Sequence, residues 1–338
     1  MQSVKSTSLK DILLVGDVGG TNCRLANCDA ASGQITDIDV FSVSELSSLD
    51  EALHRFMEKN PTNRYTNAAI SIANPISGDK VAMTNAHWNF SIEQTRKSRR
   101  LDQLVMLNDW ESVALSLPAL DNSDVEQINM CIGHDSGNRA LCGVGTGLGA
   151  AGLIKARDSG WVPVSGEGGH ISFSPVNQEE IQILEMIRES YEHVSFEKIL
   201  SGSGLISLHQ TIAKIAGVIV EKASPQQIVS KASSQSDPIC AQTVKIFCGI
   251  LGNFAGNLCL TLGATGGIYV GGGVVQKIDD AGLFNREIFL DRLKHKGRLS
   301  EWLNDIPTYL IKTPYAGLVG AAAALGVKYP RVAHTEPV

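Results

Sequence analysis

The sequence predicts an α/β fold built twice over, and three observations carry that reading. At 338 residues the chain is long enough for about two domains. Short apolar runs end in glycine-rich turns, as strands joined by tight connections do. Longer stretches with helical spacing follow, and the same order then recurs in the second half.

Ile12 to Val15 reads as the first strand and ends at Gly16-Asp17-Val18-Gly19-Gly20-Thr21-Asn22. Arg24 to Cys28 alternates as a second strand, turns at Asp29-Ala30-Ala31-Ser32-Gly33, and leads into a third over Ile35 to Val43. Ser48 to Lys59 has helical spacing, with Leu49, Leu53, Phe56 and Met57 on one face. Ala68 to Ala73 and Leu104 to Leu107 read as strands, and Trp110 to Leu117 as a helix. The boundary between the copies is expected near Pro118 to Asp124, where turn residues cluster.

The second copy opens with a strand over Ala140 to Val144, the turn Gly145-Thr146-Gly147-Leu148-Gly149, and a strand over Ala150 to Lys155. Trp161 to Val164 reads as a third strand, followed by helices near 178–190, 203–215 and 236–262. In the last of these Gly249, Gly252 and Gly256 share one flank, so another helix can approach closely. Ile268 to Val270 and Tyr309 to Ile311 are strands, and Ala316 to Val327 is a final helix. The tail from Lys328 to Val338 is expected to fray.

Composition narrows the function. A net charge of −6 argues against a broad nucleic-acid face. The densest basic stretch, Arg96-Lys97-Ser98-Arg99-Arg100, reads as an exposed helix end. Seven cysteines in a long chain, none in a CxxC pair, suit reduced, buried thiols in a cytosolic compartment. Neither a disulfide framework nor a zinc site is expected. No charged residue lies between Lys245 and Lys277, but Asn253, Asn257 and the break at Gly263 to Gly267 point to a buried helix, turn and strand instead of a membrane span. The N-terminal ten residues are polar and lack an apolar signal core.

Glycine is in excess, with 33 residues, and clusters at four places. Asp17 precedes Gly19-Gly20-Thr21-Asn22 in a hairpin, where backbone N–H groups can face a phosphate and the carboxylate can hold its magnesium. The Gly143 to Gly149 turn is flanked by strands on both sides. That context fails the dinucleotide fingerprint, and no lysine completes a P-loop. Asn108-Asp109 ends a strand where a helix starts: it is a natural N-cap, and its carboxylate can also take a proton from a bound alcohol. Gly166-Glu167-Gly168-Gly169-His170 sets two polar side chains among glycines in a loop, able to hydrogen-bond a polyol.

These segments, with Asn74-Pro75-Ile76-Ser77-Gly78-Asp79, Glu197 to Gly202 and Gly266 to Gly273, stand in the order seen in bacterial ATP-dependent glucokinases of the non-repressor group. The resemblance covers nearly the whole chain. It implies the two-domain actin-like ATPase (ribonuclease H-like) fold, with mixed sheets and an interdomain cleft. A small α/β domain would span 11–119 plus 316–330, and a large α/β domain 120–315. The resemblance also implies a cytoplasmic homodimer that uses ATP and Mg2+. By position Asp109 resembles the catalytic base. Asn108, Asp109, Glu167, His170 and Glu197 resemble the glucose ligands. Asp17, Gly19, Gly20, Thr21 and Asn22, with Gly145, Thr146 and Gly147, resemble the phosphate loops; Asp17 is also the implied metal residue. Gly271, Gly272 and Gly273 resemble the turn near the adenosine. Trp110 stands where the family usually has Phe. The zinc-binding cysteine cluster of the neighbouring repressor/kinase group is missing after His170. A kinase for another hexose and a non-catalytic sugar sensor stay open as alternatives. For the sensor, the short segment before the first strand leaves no room for a DNA-binding helix pair.

Overall fold

The computed structural model describes residues 10–83, 86–157 and 160–333. Most of the polar N-terminal stretch and the end of the tail lie outside them. The chain forms two compact units, the first from residues 1–121 and 313–338, the second from 122–312.

In the first unit β1 (Lys10–Val18), β2 (Asn22–Cys28) and β3 (Gln34–Ser42) form an antiparallel meander. β4 (Asn63–Ile72) and β7 (Gln103–Asn108) extend it in parallel on the other side of β1. Between them α1 (Leu49–Lys59) is capped by Ser48, whose hydroxyl accepts the Glu51 N–H, and buries Leu49, Leu53 and Phe56 as the spacing predicts. A small hairpin, β5 (Lys80–Ala82) and β6 (Asn89–Ser91), leads into α2 (Ile92–Ser98). The basic run does end that helix: Arg96 pairs with Glu93, and Arg99 with Asp50.

α3 (Asp109–Ser116) follows β7 directly. The chain returns to this unit as α11 (Ala316–Ala324), which buries Leu318, Val319, Ala321 and Ala322 against Val15, Ala26 and Ala69. Burying a Leu or Val side chain stabilises by about 1.5–3 kcal/mol, so α11 is a core element of the first unit. The first residues of the tail do not fray, and 334–338 lie outside the described residues. Arg331–Val332 forms β14, parallel to Gln34 and Ile35 of β3, because β3 otherwise leaves its edge N–H and C=O groups unpaired.

The second unit repeats the plan. β9 (Arg139–Val144), β10 (Leu148–Lys155) and β11 (Trp161–Gly166) are an antiparallel meander, and β12 (Gly267–Gly271) and β13 (Thr308–Ile311) add in parallel beside β9. The edge differs: β8 (Val125–Gln127) pairs antiparallel with β13. The helices are α4 (Gln178–Arg188), α5 (Gly202–Ile215), α6 (Pro225–Ser233), α7 (Pro238–Leu262), α8 (Gly273–Asp280), α9 (Arg286–Lys294) and α10 (Ser300–Asn304).

α7 is long and apolar enough to cross a membrane, but its most apolar stretch is 83% buried inside the protein, as a core helix is. Its glycine flank receives α9. A Cβ at Gly252 would overlap the Phe289 carbonyl, one at Gly256 the Leu293 carbonyl, whereas one at Gly249 would meet Ile288 at an ordinary 3.4 Å. Six cysteines are buried as expected. Cys131 is the exception, only partly buried in the irregular segment after β8.

Candidate active site

Asp17 lies near the C-terminal end of β1, and sheet register sets its neighbours. Arg24 on β2 and Ser71 on β4 sit directly beside it. The guanidinium reaches its carboxylate at 3.4 Å, and the Ser71 hydroxyl donates at 3.2 Å. Burial raises the Asp17 pKa above the ordinary carboxylate value, although Arg24 and Ser71 work against the rise. The Gly19 N–H donates to the Asn22 carbonyl and closes the turn, in which Gly20, Thr21 and Asn22 are exposed.

Asn108 and Asp109 sit at the same end of the sheet, two strands from Asp17 and next to β4, where open α/β sheets usually bind ligands. Asn108 caps α3, its side-chain oxygen accepting the Trp110 and Glu111 N–H groups. The Asp109 carboxylate also accepts from the Trp110 N–H, at 3.0 Å. Burial lifts the Asp109 pKa to about 6. The Trp110 hydrogen bond opposes that rise and the negative Asp17 adds to it.

α11 braces both carboxylates. A Cβ at Gly317 would come within 2.7 Å of the Asp17 carboxyl carbon, and one at Gly320 would overlap the Ser112 carbonyl of α3. The Ser112 hydroxyl donates to the Gly317 carbonyl at 2.8 Å.

In the second unit the turn Gly145-Thr146-Gly147 closes through the Gly145 N–H to the Gly147 carbonyl. The start of α5 fixes it: Gly202 N–H donates to the Gly145 carbonyl at 3.0 Å. Glu197 packs beneath. Its Oε2 accepts the Leu148 N–H at 2.9 Å, and a Cβ at Gly147 would meet that oxygen at 2.5 Å. His170, on a single 3-10 turn after β11, places Nε2 3.8 Å from Glu197 and 3.9 Å from Glu167. Glu167 and His170 are more than half exposed, so a polyol can reach all three groups.

A cavity of about 470 Å3 lies beside the turn, lined by Gly145, Thr146, Ser203, Gln226, Gly273 and Lys277 among others. That volume suits a nucleoside-sized ligand. Of the last glycine cluster only Gly273 lines it. Gly271 is buried in β12, and a Cβ at Gly272 (φ +93°) would overlap the Val144 backbone. The sequence reading missed the α6 wall. Its signal is present as a capping box: the Ser224 hydroxyl accepts from Gln227, with Pro225 in the first turn.

A family model described as Glucokinase matches residues 14–327. The chain belongs to the glucokinase family. It is 43% identical to a glucokinase of Chromobacterium violaceum over 92% of this chain and 88% of that protein. It is 42% identical to a bifunctional protein of Burkholderia thailandensis over 92% of this chain but only 48% of that longer protein. Among solved structures, a glucokinase from an Antarctic psychrotroph superposes with a TM-score of 0.85 at 32% identity, over 94% of this chain and 99% of that one. The glucokinase-family chain thus has the α/β architecture of the actin-like ATPase sugar kinases, and the resemblance read from ordered motifs holds along its length.

Proposed function

We propose that this chain transfers the γ-phosphoryl group of ATP to the 6-hydroxyl of glucose, with Asp109 as the general base. The observation that carries the reading is the Asp109 carboxylate, set at a helix start and held near a pKa of about 6 by burial. A base with that affinity takes a hydroxyl proton during attack yet stays mostly ionised at neutral pH. Asn108, Glu167, His170 and Glu197 hydrogen-bond the sugar. The turns Asp17 to Asn22 and Gly145 to Gly147 present N–H groups to the phosphates, and the adenosine occupies the cavity of the second unit beside Gly273. Phosphoryl transfer is mostly positioning and electrostatics, which such fixed donors supply. We read the two units as the small and large domains of the family.

Asp17 fits a magnesium ion. It is a largely buried carboxylate with one cationic neighbour at 3.4 Å, in a cradle that a side chain at 317 would fill. Bound there, magnesium would offset the negative charge of the phosphates. A cytoplasmic site of action and a homodimer belong to the same reading and rest on the family resemblance.

Asp109→Asn keeps the shape and removes the base. Its kcat should fall by roughly 10²–10⁴ while glucose still binds by calorimetry; near-normal turnover sinks the assignment. A coupled ATP assay across a hexose panel should show glucose turned over most efficiently. Preference for mannose or an amino sugar would favour a kinase for that sugar, and no turnover on any hexose would favour a sensor.

A further inference from the structure

We propose that His209, Asp237 and Cys240 form a site for one divalent transition-metal ion of the zinc class, built where α5 meets the start of α7. None of the three lines the cavity beside Gly145 or contacts Glu167, His170 or Glu197. His209 is 1% exposed on α5, and Cys240 is fully buried in the first turn of α7. Asp237 is the N-cap of that helix. One of its oxygens accepts the Ile239 and Cys240 N–H groups at 2.9 and 3.2 Å, which fixes the carboxylate beside the Cys240 thiol.

The spacing matches a metal. His209 Nε2 lies 3.5 Å from Cys240 Sγ, and one donor atom from each of the three residues falls within 4.8 Å of the others. Tetrahedral bonds of about 2.0–2.3 Å set their ligand atoms roughly 3.3–3.8 Å apart, so the thiol and imidazole already stand at that separation. The donors are one thiol, one imidazole and one carboxylate, a set that favours zinc over magnesium or calcium.

The second observation is the imidazole itself. His209 Nδ1 is buried without a hydrogen-bond partner. A neutral ring carrying its proton there presents the Nε2 lone pair to the thiol and to the space between the three groups. The metal-free Cys240 is a thiol, its pKa raised to about 11 by burial. Metal binding displaces that proton to solvent as the thiolate forms. A cavity of about 340 Å3 opens onto His209 and Asp237, with Glu221 and Lys231 also on its wall. It provides an entry path and room for water as a fourth ligand. The expectation of no zinc site rested on the missing CxxC spacing, whereas here the histidine is distant in sequence and brought in by helix packing.

The test uses the full chain, stripped with a chelator and titrated with Co2+ and then Zn2+. One equivalent of cobalt should give a thiolate-to-cobalt charge-transfer band that zinc bleaches. Cys240→Ser should abolish the band. Asp237→Asn, which keeps the helix cap and removes the charge, should weaken metal binding at least tenfold by calorimetry. Zinc should also raise the melting temperature of the wild type and not of Cys240→Ser. A wild-type chain without the band overturns the site even if a variant misfolds, and so does a band of full strength in Cys240→Ser, which would lie on another cysteine.

Discussion

The Asp109 carboxyl pulls stability and activity in opposite directions. Its folded pKa of about 6 lies above the ordinary value of 3.8, so the folded chain holds this proton more tightly than the unfolded chain. Stability therefore falls as pH rises from about 4 to 6. The base, in contrast, works only when ionised. We expect kcat/KM to drop about tenfold per pH unit below pH 6, a limb that Asp109→Asn removes along with most turnover. The same variant should unfold later than wild type at pH 7, by on the order of 1–3 kcal/mol, a gain that vanishes below pH 4 in chemical denaturation. Glu167→Gln should raise the glucose KM more than tenfold with kcat less affected, since it alters a ground-state contact. At this scale the sequence was partly legible. Asn108-Asp109 presented both a cap and a carboxylate, and the structure gives the cap to Asn108. The approach of Gly317 to Asp17 left no trace, because residues 300 positions apart share no spacing pattern.

Helices decide the positioning. α3 carries Asp109 and is pressed against α11 at Gly320, where an added methyl would overlap the Ser112 carbonyl. Gly320→Ala should push α3 aside, lowering kcat by tenfold or more with sugar binding retained, since an ångström of misplacement is costly. Stopped-flow and equilibrium binding separate the two effects. The α7 flank offers a graded comparison. Gly252→Ala should destabilise by about 1–3 kcal/mol in urea unfolding, while Gly249→Ala, with room at 3.4 Å, should be neutral or slightly stabilising. The glycine flank was read from sequence, but its partner α9 was not. α9 is nine residues long and buries only Phe289 and Leu293, with Ile288 and Leu290 partly covered, so its apolar residues bunch together and do not mark a helix by spacing. Packing against α7 supplies what propensity does not.

At the scale of the whole chain, the duplicated plan was legible because each copy starts with a glycine-rich turn between strands. Each unit has the same central strand order and directions, a meander extended by two parallel strands. The edges were not legible: β8 and β14 are three and two residues long and exist through pairing alone. A chain ending at Lys312 lacks α11, which covers Val15, Ala26 and Ala69. Its first unit should lose slow hydrogen exchange while the second keeps its protected core, read by mass spectrometry on the intact and shortened chains.

The late return of α11 also sets an order for folding during synthesis. The strands of the first unit leave the ribosome first, but their covering helix is made only after the whole second unit. At 5–20 residues per second, residues 122–312 take roughly 10–40 s to synthesise. Throughout that interval one face of the nascent β1–β4 pair stays uncovered and prone to aggregation. The first unit thus starts before the second and is finished after it.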